Sequence, residues 1–221
     1  MGFLLILFPL KRSYGTILHI PDKAAIYLVG GLSMPAPRCE DGYHITSMVR
    51  LPWPLIEAQR DGTLVVFAGA GVSMGPPSSL PGFRQLAQEV AESGGLELRA
   101  DDDLDAFFGQ LEDEKKLSVR ERVCRILGRP TSEPTELHHS LVTLFSAQRP
   151  VRLVTTNFDR HFSAVVKDWP HGSVDTYYAP ALPLGGDFTG LVYLHGSVDR
   201  ERRHLVLTDA DFGRAYLADG W

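Results

Sequence analysis

Short apolar runs alternate with amphipathic segments along most of the chain. The run at 64–67 is rich in β-branched and aromatic residues, which is typical of a strand buried on both faces. After a glycine-rich turn, Phe83, Leu86, Ala87 and Val90 recur at helical spacing and share one face. Further strands are predicted at 151–155, 174–178, 191–194 and 204–208. Because strands and helices alternate, the pattern predicts an α/β fold with a Rossmann-like, mostly parallel sheet.

The segment 101–147 is predicted to be a helical insertion in this alternation. Ser118 and Glu121 have the spacing of a capping box, which predicts the start of its middle helix. Short helices are also predicted at 52–58 and after Asp209, which is expected to cap the second of them. The first and third helices of the insertion carry apolar stripes at Leu104, Phe107, Phe108 and Leu111, and at Leu137, Leu141, Leu144 and Phe145. Such stripes are typical of a protein core rather than of cofactor contacts.

Composition narrows the function classes. The length of 221 residues is enough for one domain of ordinary size with its core. The composition, 44% hydrophobic and 22% charged, is that of a globular protein. The net charge of −5 gives no reason to expect a nucleic-acid partner. Two cysteines, Cys39 and Cys124, are too few for a disulfide framework or a four-cysteine zinc site, and Cys124 is predicted in the core. His138 and His139 are adjacent and face different ways on a helix, so no metal site is expected.

The first 47 residues follow a different pattern. Their apolar run at 3–10 is far too short to span a bilayer, so no membrane partner is expected. Basic residues follow this run, whereas they precede it in a secretory signal. The preferred interpretation is that translation begins at Met48 and that 1–47 is an upstream extension with no part in the fold. A flexible arm and a poor membrane anchor are the alternatives, and the domain is placed at 48–221.

Candidate chemistry begins at the turn after the first strand of this domain. Strand, glycine turn and helix form the arrangement that binds a pyrophosphate, because small residues let backbone N–H groups approach an anion. Gly69 and Gly71 match the first glycines of the dinucleotide fingerprint, but Met74 stands in the third place. The acids about twenty residues further on, Glu89 and Glu92, lie on a predicted helix instead of a strand end. A dehydrogenase is therefore disfavoured, and a tight turn without a ligand stays an alternative.

Motifs that follow one another in the expected order resemble the sirtuin signatures. They are Gly69-Ala70-Gly71-Val72-Ser73 with Phe83-Arg84, then Thr155-Thr156-Asn157-Phe158-Asp159, and then Leu194-His195-Gly196. The resemblance spans about 61–221, and the forms GAGVS, TTNFD and LHGS are most similar to bacterial sirtuin-like domains of multidomain defence proteins. It implies a Rossmann-like domain that binds NAD. Because sirtuin-like folds continue with further strands, it also implies that C-terminal strands are missing and that the chain is a fragment of a longer protein.

The resemblance implies roles for the matching residues. His195 would accept a proton from a ribose hydroxyl or from attacking water, and Asn157 would orient the ribose or that water. Asp159 would order the loop or the nicotinamide pocket, and Arg84 would contact a phosphate or fix the loop. The residues expected at the cofactor are Gly69, Ala70, Gly71, Val72, Ser73, Phe83, Arg84, Thr156 and Asn157. Without the resemblance, His195 is a structural histidine, Asn157 a turn residue and Asp159 a helix cap. His161 is expected on a helix surface.

Competing functions follow from these roles. The first is hydrolysis of NAD to ADP-ribose and nicotinamide in antiphage defence, favoured by the resemblance to defence domains and by the lack of zinc-ribbon cysteines. The second is NAD-dependent protein deacylation, although the sequence shows no zinc module and no zinc is expected. The third is a non-catalytic module that binds NAD or ADP-ribose. The expected partners are NAD, further copies of the chain or a C-terminal sensor domain, and the expected compartment is the cytoplasm.

Overall fold

The computed structural model describes residues 3–9, 16–20, 24–28, 42–44, 50–183 and 188–218. The strands within them are β1 (Phe3–Pro9), β2 (Thr16–Ile20), β3 (Ala24–Leu28), β4 (Gly42–His44), β5 (Arg50–Pro52), β6 (Leu64–Ala68), β7 (Arg152–Thr155), β8 (Thr176–Tyr178) and β9 (Gly190–Tyr193). The α-helices are α1 (Trp53–Arg60), α2 (Phe83–Glu92), α3 (Leu104–Asp113), α4 (Val119–Leu127), α5 (Glu136–Val142), α6 (His161–Lys167) and α7 (Asp209–Gly213). Short 3₁₀ helices lie at Ala70–Ser73 and Arg202–His204, and a π-helix lies at Arg214–Ala218.

A seven-stranded sheet organises the chain in the order β2-β3-β1-β6-β7-β9-β8. From β6 to β8 the neighbours are all parallel, with Leu153 of β7 opposite both Val66 and Leu191. On its other side β6 pairs with the antiparallel β1, and β4 and β5 form a separate pair. Helices lie between β6 and β7 and between β7 and β8, because parallel strands cannot be joined by a tight turn. Between β8 and β9 the described residues include no helix. The predicted Rossmann-like α/β fold with a mostly parallel sheet is therefore confirmed.

The segment predicted as an upstream extension contributes backbone to this sheet. β1 is parallel to β3, and β3 is antiparallel to β2, so these strands continue the sheet beyond β6. Cys39 and Met48 lie outside the described residues. The start of translation at Met48 and the division of the chain at that point stay predictions.

Buried apolar side chains form two clusters. The first packs Val66, Leu153 and Leu191 of the sheet against α1, α5 and α6, with Phe162 of α6 fully buried. The second lies among α2 and the first two helices of the predicted insertion, α3 and α4. Phe108 of α3 is fully buried in it. The stripes predicted on α2 and α3 both face this second cluster, which contains Phe83, Leu86, Ala87, Val90, Leu104, Phe107, Phe108 and Leu111. Half-buried Cys124 packs against it as well.

Two helix details differ from the predictions. Ser118 makes no side-chain cap hydrogen bond at the start of α4, so the capping box predicted there is wrong. A capping box forms instead at the start of α5, where the backbone N–H of Thr135 donates to Nδ1 of His138. On the same helix Leu137 is 41% exposed, whereas His138 is 0% exposed. Leu141, Leu144 and Phe145 of the predicted stripe belong to the first core cluster, whereas His138 takes the buried place expected for Leu137.

The end of the described chain also differs. The strand predicted at 204–208 is wrong, because Leu205 is buried in the second helical cluster and the segment has no place in the sheet. Thr208, and not Asp209, caps α7: its hydroxyl accepts the N–H of Asp211 at 3.2 Å. A short apolar run buried beneath helices has the same sequence pattern as a strand, which explains the error.

Replacing Phe108 with alanine is expected to lower the free energy of unfolding by about 3–5 kcal/mol, because a fully buried ring would leave a cavity. Leu137→Ala is the matched control, since that side chain is 41% exposed and its loss should cost below about 0.5 kcal/mol. Urea unfolding followed by far-ultraviolet circular dichroism measures both variants. Similar losses in the two would contradict the assignment of Phe108 to the core.

Candidate active site

The three predicted motifs lie at neighbouring strand ends. β6, β7 and β9 are adjacent and parallel, so their carboxyl ends meet at one edge of the sheet. The turn at 69–73 follows β6, Asn157 comes shortly after β7, and His195 comes shortly after β9. Ligands of open α/β sheets bind outside this edge. The topology therefore brings the three motifs to the place where such a fold holds a ligand.

Backbone hydrogen bonds fix the loops that carry the motifs. Beyond the strands, the N–H of Thr156 donates to the last carbonyl of β6 at 3.1 Å, and the N–H of Leu194 donates to that of Thr155 at 2.9 Å. The N–H of Val198 donates to the carbonyl of Phe158 at 2.8 Å, which ties the His195 loop to the Asn157 loop. The separation of the two loops is thus set by the backbone as well as by side chains.

Gly196 allows the chain to turn directly after His195. Its φ is +82°, and a Cβ at this position would lie 2.6 Å from the carbonyl oxygen of His204. Only glycine combines this conformation with so close an approach. The turn presents the side chain of His195 to the sheet edge. The backbone carbonyl of His195 accepts the N–H of Val206 at 3.0 Å.

The motifs line one cleft with a volume of about 240 Å³. Its polar groups are contributed by Ser73, Thr156, Asn157, Asp159 and His195. The remaining lining residues are Ala70, Leu80, Pro81, Phe83, Leu86, Leu127, Phe158 and Phe212. A few convergent polar groups in an apolar wall are typical of a small-molecule site.

The hydroxyl of Ser73 is the centre of a buried hydrogen-bond network. It donates to Oδ2 of Asp159 at 2.8 Å, because a carboxylate only accepts. It accepts from Nδ2 of Asn157 at 3.1 Å, and Nε2 of His138 lies 3.2 Å away. Ser73, Asn157, Asp159 and His138 are each at most 4% exposed. Every donor and acceptor in such a site needs a partner, since water does not compensate for a missing one.

The backbone N–H of Thr135 indicates the tautomer of His138, because it donates to Nδ1 at 3.0 Å. Oγ1 of Thr135, whose own proton goes to the carbonyl of Val72, lies 2.8 Å from the same nitrogen. The N–H contact places the proton of the neutral ring on Nε2, beside Ser73. Burial lowers the pKa of His138 to about 4, and the attraction of Asp159 only partly opposes this effect. The ring is neutral at physiological pH and acts as a fixed donor.

The same network orients the amide of Asn157. If the amide were reversed, Oδ1 would face a hydroxyl whose proton already goes to Asp159, and two acceptors would be in contact. Nδ2 therefore faces Ser73, and Oδ1 is the end that remains for another donor. Among the residues that the structure describes, this buried oxygen has no hydrogen-bond partner. A buried acceptor without a partner in a native fold is commonly explained by a bound water, a bound ligand or a functional role.

His195 lies across the cleft among aromatic rings. Its Nε2 is 2.7 Å from the hydroxyl of Tyr216, and the ring of Phe212 meets it edge-on at 5.2 Å. Burial lowers the pKa of His195 to about 4, so the imidazole is neutral at physiological pH. The unfolded chain, with an ordinary histidine pKa of 6.5, binds the proton more readily. The contribution of His195 to the free energy of unfolding should therefore be fully present above pH 6.5 and be lost as the pH drops from there toward 4.

The wall around His195 is anchored to the helical insertion. Tyr216 lies on the π-helix that continues α7, and its ring stacks on Phe212 with 12° between the planes. Arg120 of α4 holds the start of α7 through an ion pair with Asp211 at 2.6 Å. Burial raises the pKa of Asp211, but two backbone N–H bonds and Arg120 outweigh burial, so the net pKa is lowered. π-helical turns are rare and occur often at functional sites.

Other predicted site residues lie around the cleft without all facing it. Phe83 and Ala70 line it, whereas Val72 is buried in the first core cluster. Arg84 points to another loop, where its guanidinium donates to the carbonyls of Arg99 at 3.1 Å and Asp102 at 3.2 Å. These contacts hold the loop at 99–102, and the two roles expected for Arg84 stay predictions. Gly69 caps the 3₁₀ helix that leads to Ser73, and Gly71 lies within it.

Sequence reasoning placed His161 wrongly and missed His138. His161 was expected on a helix surface but is 3% exposed. Its backbone N–H donates to Oδ1 of Asp159, and its Nε2 lies 2.9 Å from the hydroxyl of Ser132. That hydroxyl donates to the carbonyl of Ser78, so a buried chain of hydrogen bonds holds the loop at 74–81. The spacing of His138 with Leu141, Val142 and Phe145 was the signal that could have revealed its burial.

Within the described parts of the chain, no group of three or more His, Cys, Asp or Glu side chains is arranged to hold a metal ion. In the same parts, no helix has the length and apolar character needed to cross a membrane.

Comparisons with known proteins give little functional guidance. No family model matches the chain. An uncharacterized protein of Sinorhizobium fredii (strain NBRC 101917 / NGR234), y4cA, is 30% identical over 192 residues. The match covers 77% of this chain but only 16% of y4cA, so the chain spans about a sixth of that relative. The resemblance to sirtuins therefore stays a prediction that rests on the motifs.

Removing the ring of Tyr216 is expected to raise the pKa of His195 from about 4 toward its ordinary 6.5, because the imidazole would become more solvated. Tyr216→Ala tests this, and Tyr216→Phe is the control that keeps the ring and removes the hydroxyl. The imidazole proton signals, followed by NMR across an acid titration, give the pKa in each protein. A wild-type value near 6.5, or a larger rise in the phenylalanine variant than in the alanine variant, would show that burial is not the cause.

Proposed function

We propose that the chain carries a sirtuin-like NAD glycohydrolase site, in which water replaces nicotinamide on the ribose and gives ADP-ribose, nicotinamide and a proton. The observation that carries the proposal is the unpaired, buried Oδ1 of Asn157 in a cleft shared with His195. A ribose supplies hydroxyl donors of the kind that this acceptor needs.

The chemistry of the reaction matches this polar lining. Cleavage of the nicotinamide–ribose bond passes through a cationic, oxocarbenium-like sugar, and the leaving group is already a good one. The protein therefore has to hold the ribose, stabilise positive charge and position water. Asn157 would hold a ribose hydroxyl or the water through Oδ1. The buried carboxylate of Asp159, bonded to the neutral donors Ser73 and His161, would favour a cationic ring in the cleft.

His195 suits the role of acceptor because it is neutral. Its lowered pKa, about 4, avoids placing a second positive charge beside the nicotinamide ring. The contact with Tyr216 at 2.7 Å is an example of a hydroxyl at this imidazole. A ribose hydroxyl or water would make the same kind of contact. When water adds to the cationic ribose that neutral nicotinamide leaves behind, the ring would accept the proton that this water loses.

The size of the cleft fits one half of the dinucleotide. About 240 Å³ lies just below the usual range of roughly 300–1,000 Å³ for ligand pockets. We assign the nicotinamide ribose to this volume, between Asn157 and His195, and the pyrophosphate to the backbone of the glycine turn at 69–73, of which Ala70 and Ser73 border the cleft. The aromatic lining from Phe83, Phe158 and Phe212 would surround the nicotinamide ring.

A module that binds NAD or ADP-ribose without turnover is the second candidate. The engagement of His195 by Tyr216 favours it, because that nitrogen is already occupied by a protein hydroxyl. Protein deacylation stays a weaker alternative for which the structure supplies no specific contact. Antiphage defence, a cytoplasmic location, self-association and a sensor domain in a longer chain belong to the proposal as its biological setting.

Purified chain incubated with NAD, with and without an acetyl-lysine peptide, separates the three functions. We expect ADP-ribose and nicotinamide without peptide, quantified by liquid chromatography. Acetyl-ADP-ribose formed only with peptide would identify a deacylase instead. Calorimetric binding of NAD without any product would identify the binding module.

Variants test the assigned roles. Asn157→Ala is expected to lower kcat/KM by about 10²–10³-fold, as for loss of one preorganised polar group. His195→Ala should lower it by about 10²–10⁴-fold. His139→Ala is the matched control, because this histidine is exposed on α5 and is not part of the cleft lining. Full activity in either site variant, with unchanged thermal unfolding, would remove that residue from the mechanism.

A further inference from the structure

We propose that His138, a residue outside the cleft lining, positions Asn157 for the substrate by fixing the hydroxyl of Ser73. The inference rests on the proposed function for its catalytic consequence. It also changes the expected role of Ser73 from a contact of the cofactor to a link between α5 and the loop after β7, here called the catalytic loop, which carries Asn157 and Asp159.

The capacity of one hydroxyl carries this inference. A serine hydroxyl has one proton to donate and two lone pairs that accept. The proton of Ser73 goes to Asp159 at 2.8 Å, and the lone pairs face Nδ2 of Asn157 at 3.1 Å and Nε2 of His138 at 3.2 Å. All of its hydrogen-bonding capacity is used within the protein, so none is left for a phosphate oxygen.

His138 can fill this position because its tautomer is imposed from outside the site. The backbone N–H of Thr135 donates to Nδ1, and the capping box at the start of α5 holds the ring in place. The edge of the Phe162 ring packs against the imidazole at 4.7 Å between centroids. The ring therefore presents a proton at Nε2 in a fixed direction, which an apolar side chain at 138 would not do.

The partners of Ser73 come from different parts of the fold. Asn157 and Asp159 lie on the same loop after β7, whereas His138 lies on α5 and Ser73 on the turn after β6. Without His138, Ser73 would be bonded to the catalytic loop alone, and its side chain would be free to turn with that loop. The amide of Asn157 would then no longer be restricted to the orientation that leaves Oδ1 for a ligand.

The first test is a measurement that needs no activity, so it separates this inference from the proposed function. Long-range proton–nitrogen NMR on the whole chain is expected to show His138 as the Nε2–H tautomer. The side-chain amide of Asn157 should give one set of signals with slow hydrogen exchange. In His138→Leu we expect faster exchange or two sets of signals, and in His138→Gln, whose amide can donate to Ser73, a return to one set.

The second test is a double-mutant cycle on NAD hydrolysis. His138→Leu is expected to lower kcat/KM by about tenfold, the effect of one buried hydrogen bond, with most of the loss in kcat. In a Ser73→Ala background the same change should have almost no further effect, because the link is already broken. His138→Gln should recover most of the loss.

Several outcomes would overturn the inference. One is an Nδ1–H tautomer of His138 in the wild-type chain. Another is an unchanged Asn157 amide in His138→Leu, which would leave His138 as a residue of the core only. Fully additive losses in the cycle would show that His138 does not act through Ser73. If His138→Leu does not fold, the tautomer measurement and the comparison of His138→Gln with the wild type still decide the question.

Discussion

The limited hydrogen-bonding capacity of the Ser73 hydroxyl is the constraint on which the site depends. One proton and two lone pairs are shared among Asp159, Asn157 and His138, all of them buried. Since all of these side chains are buried, a change at one partner has to be compensated at the others. The orientation of the Asn157 amide follows directly from this sharing. Its Oδ1 is left without a hydrogen-bond partner among the described residues, and the proposed function assigns a donor of the ligand to this acceptor.

The sheet places this network where a ligand can reach it. Adjacent parallel strands deliver the glycine turn, the amide and the imidazole to one edge, and backbone bonds continue the ladder past the strand ends. Leu80 and Pro81 before α2, with Phe83 and Leu86 on it, supply much of the apolar wall. The helical insertion adds Leu127 and, through Arg120, the anchor of α7. Burial within this wall lowers the pKa of His195 to about 4, which keeps its imidazole neutral. The same burial makes the site sensitive to acid, because protonation of these histidines favours the unfolded chain.

The order of strands and helices and the position of the motifs could be predicted from the sequence. Apolar runs such as 64–67 and stripes at helical spacing depend on the local conformation of the chain alone. The partners of those motifs could not. Leu137 and His138 both fit an apolar stripe on α5, and only tertiary packing decides that the histidine is inside. The segment at 204–208 has the sequence pattern of a strand but is buried beneath helices. A short apolar run does not distinguish a strand from an irregular segment in the core. The direction of a hydroxyl proton, on which the site depends, has no sequence signal at all.

The most direct measurement of the central claim is a crystal structure of the His195→Ala variant with NAD bound. We expect a hydroxyl of the nicotinamide ribose, or a water beside it, within hydrogen-bond distance of Oδ1 of Asn157, with Nδ2 still facing Ser73. A dinucleotide bound elsewhere on the chain, or bound in the cleft while Oδ1 meets no donor, would contradict the claim.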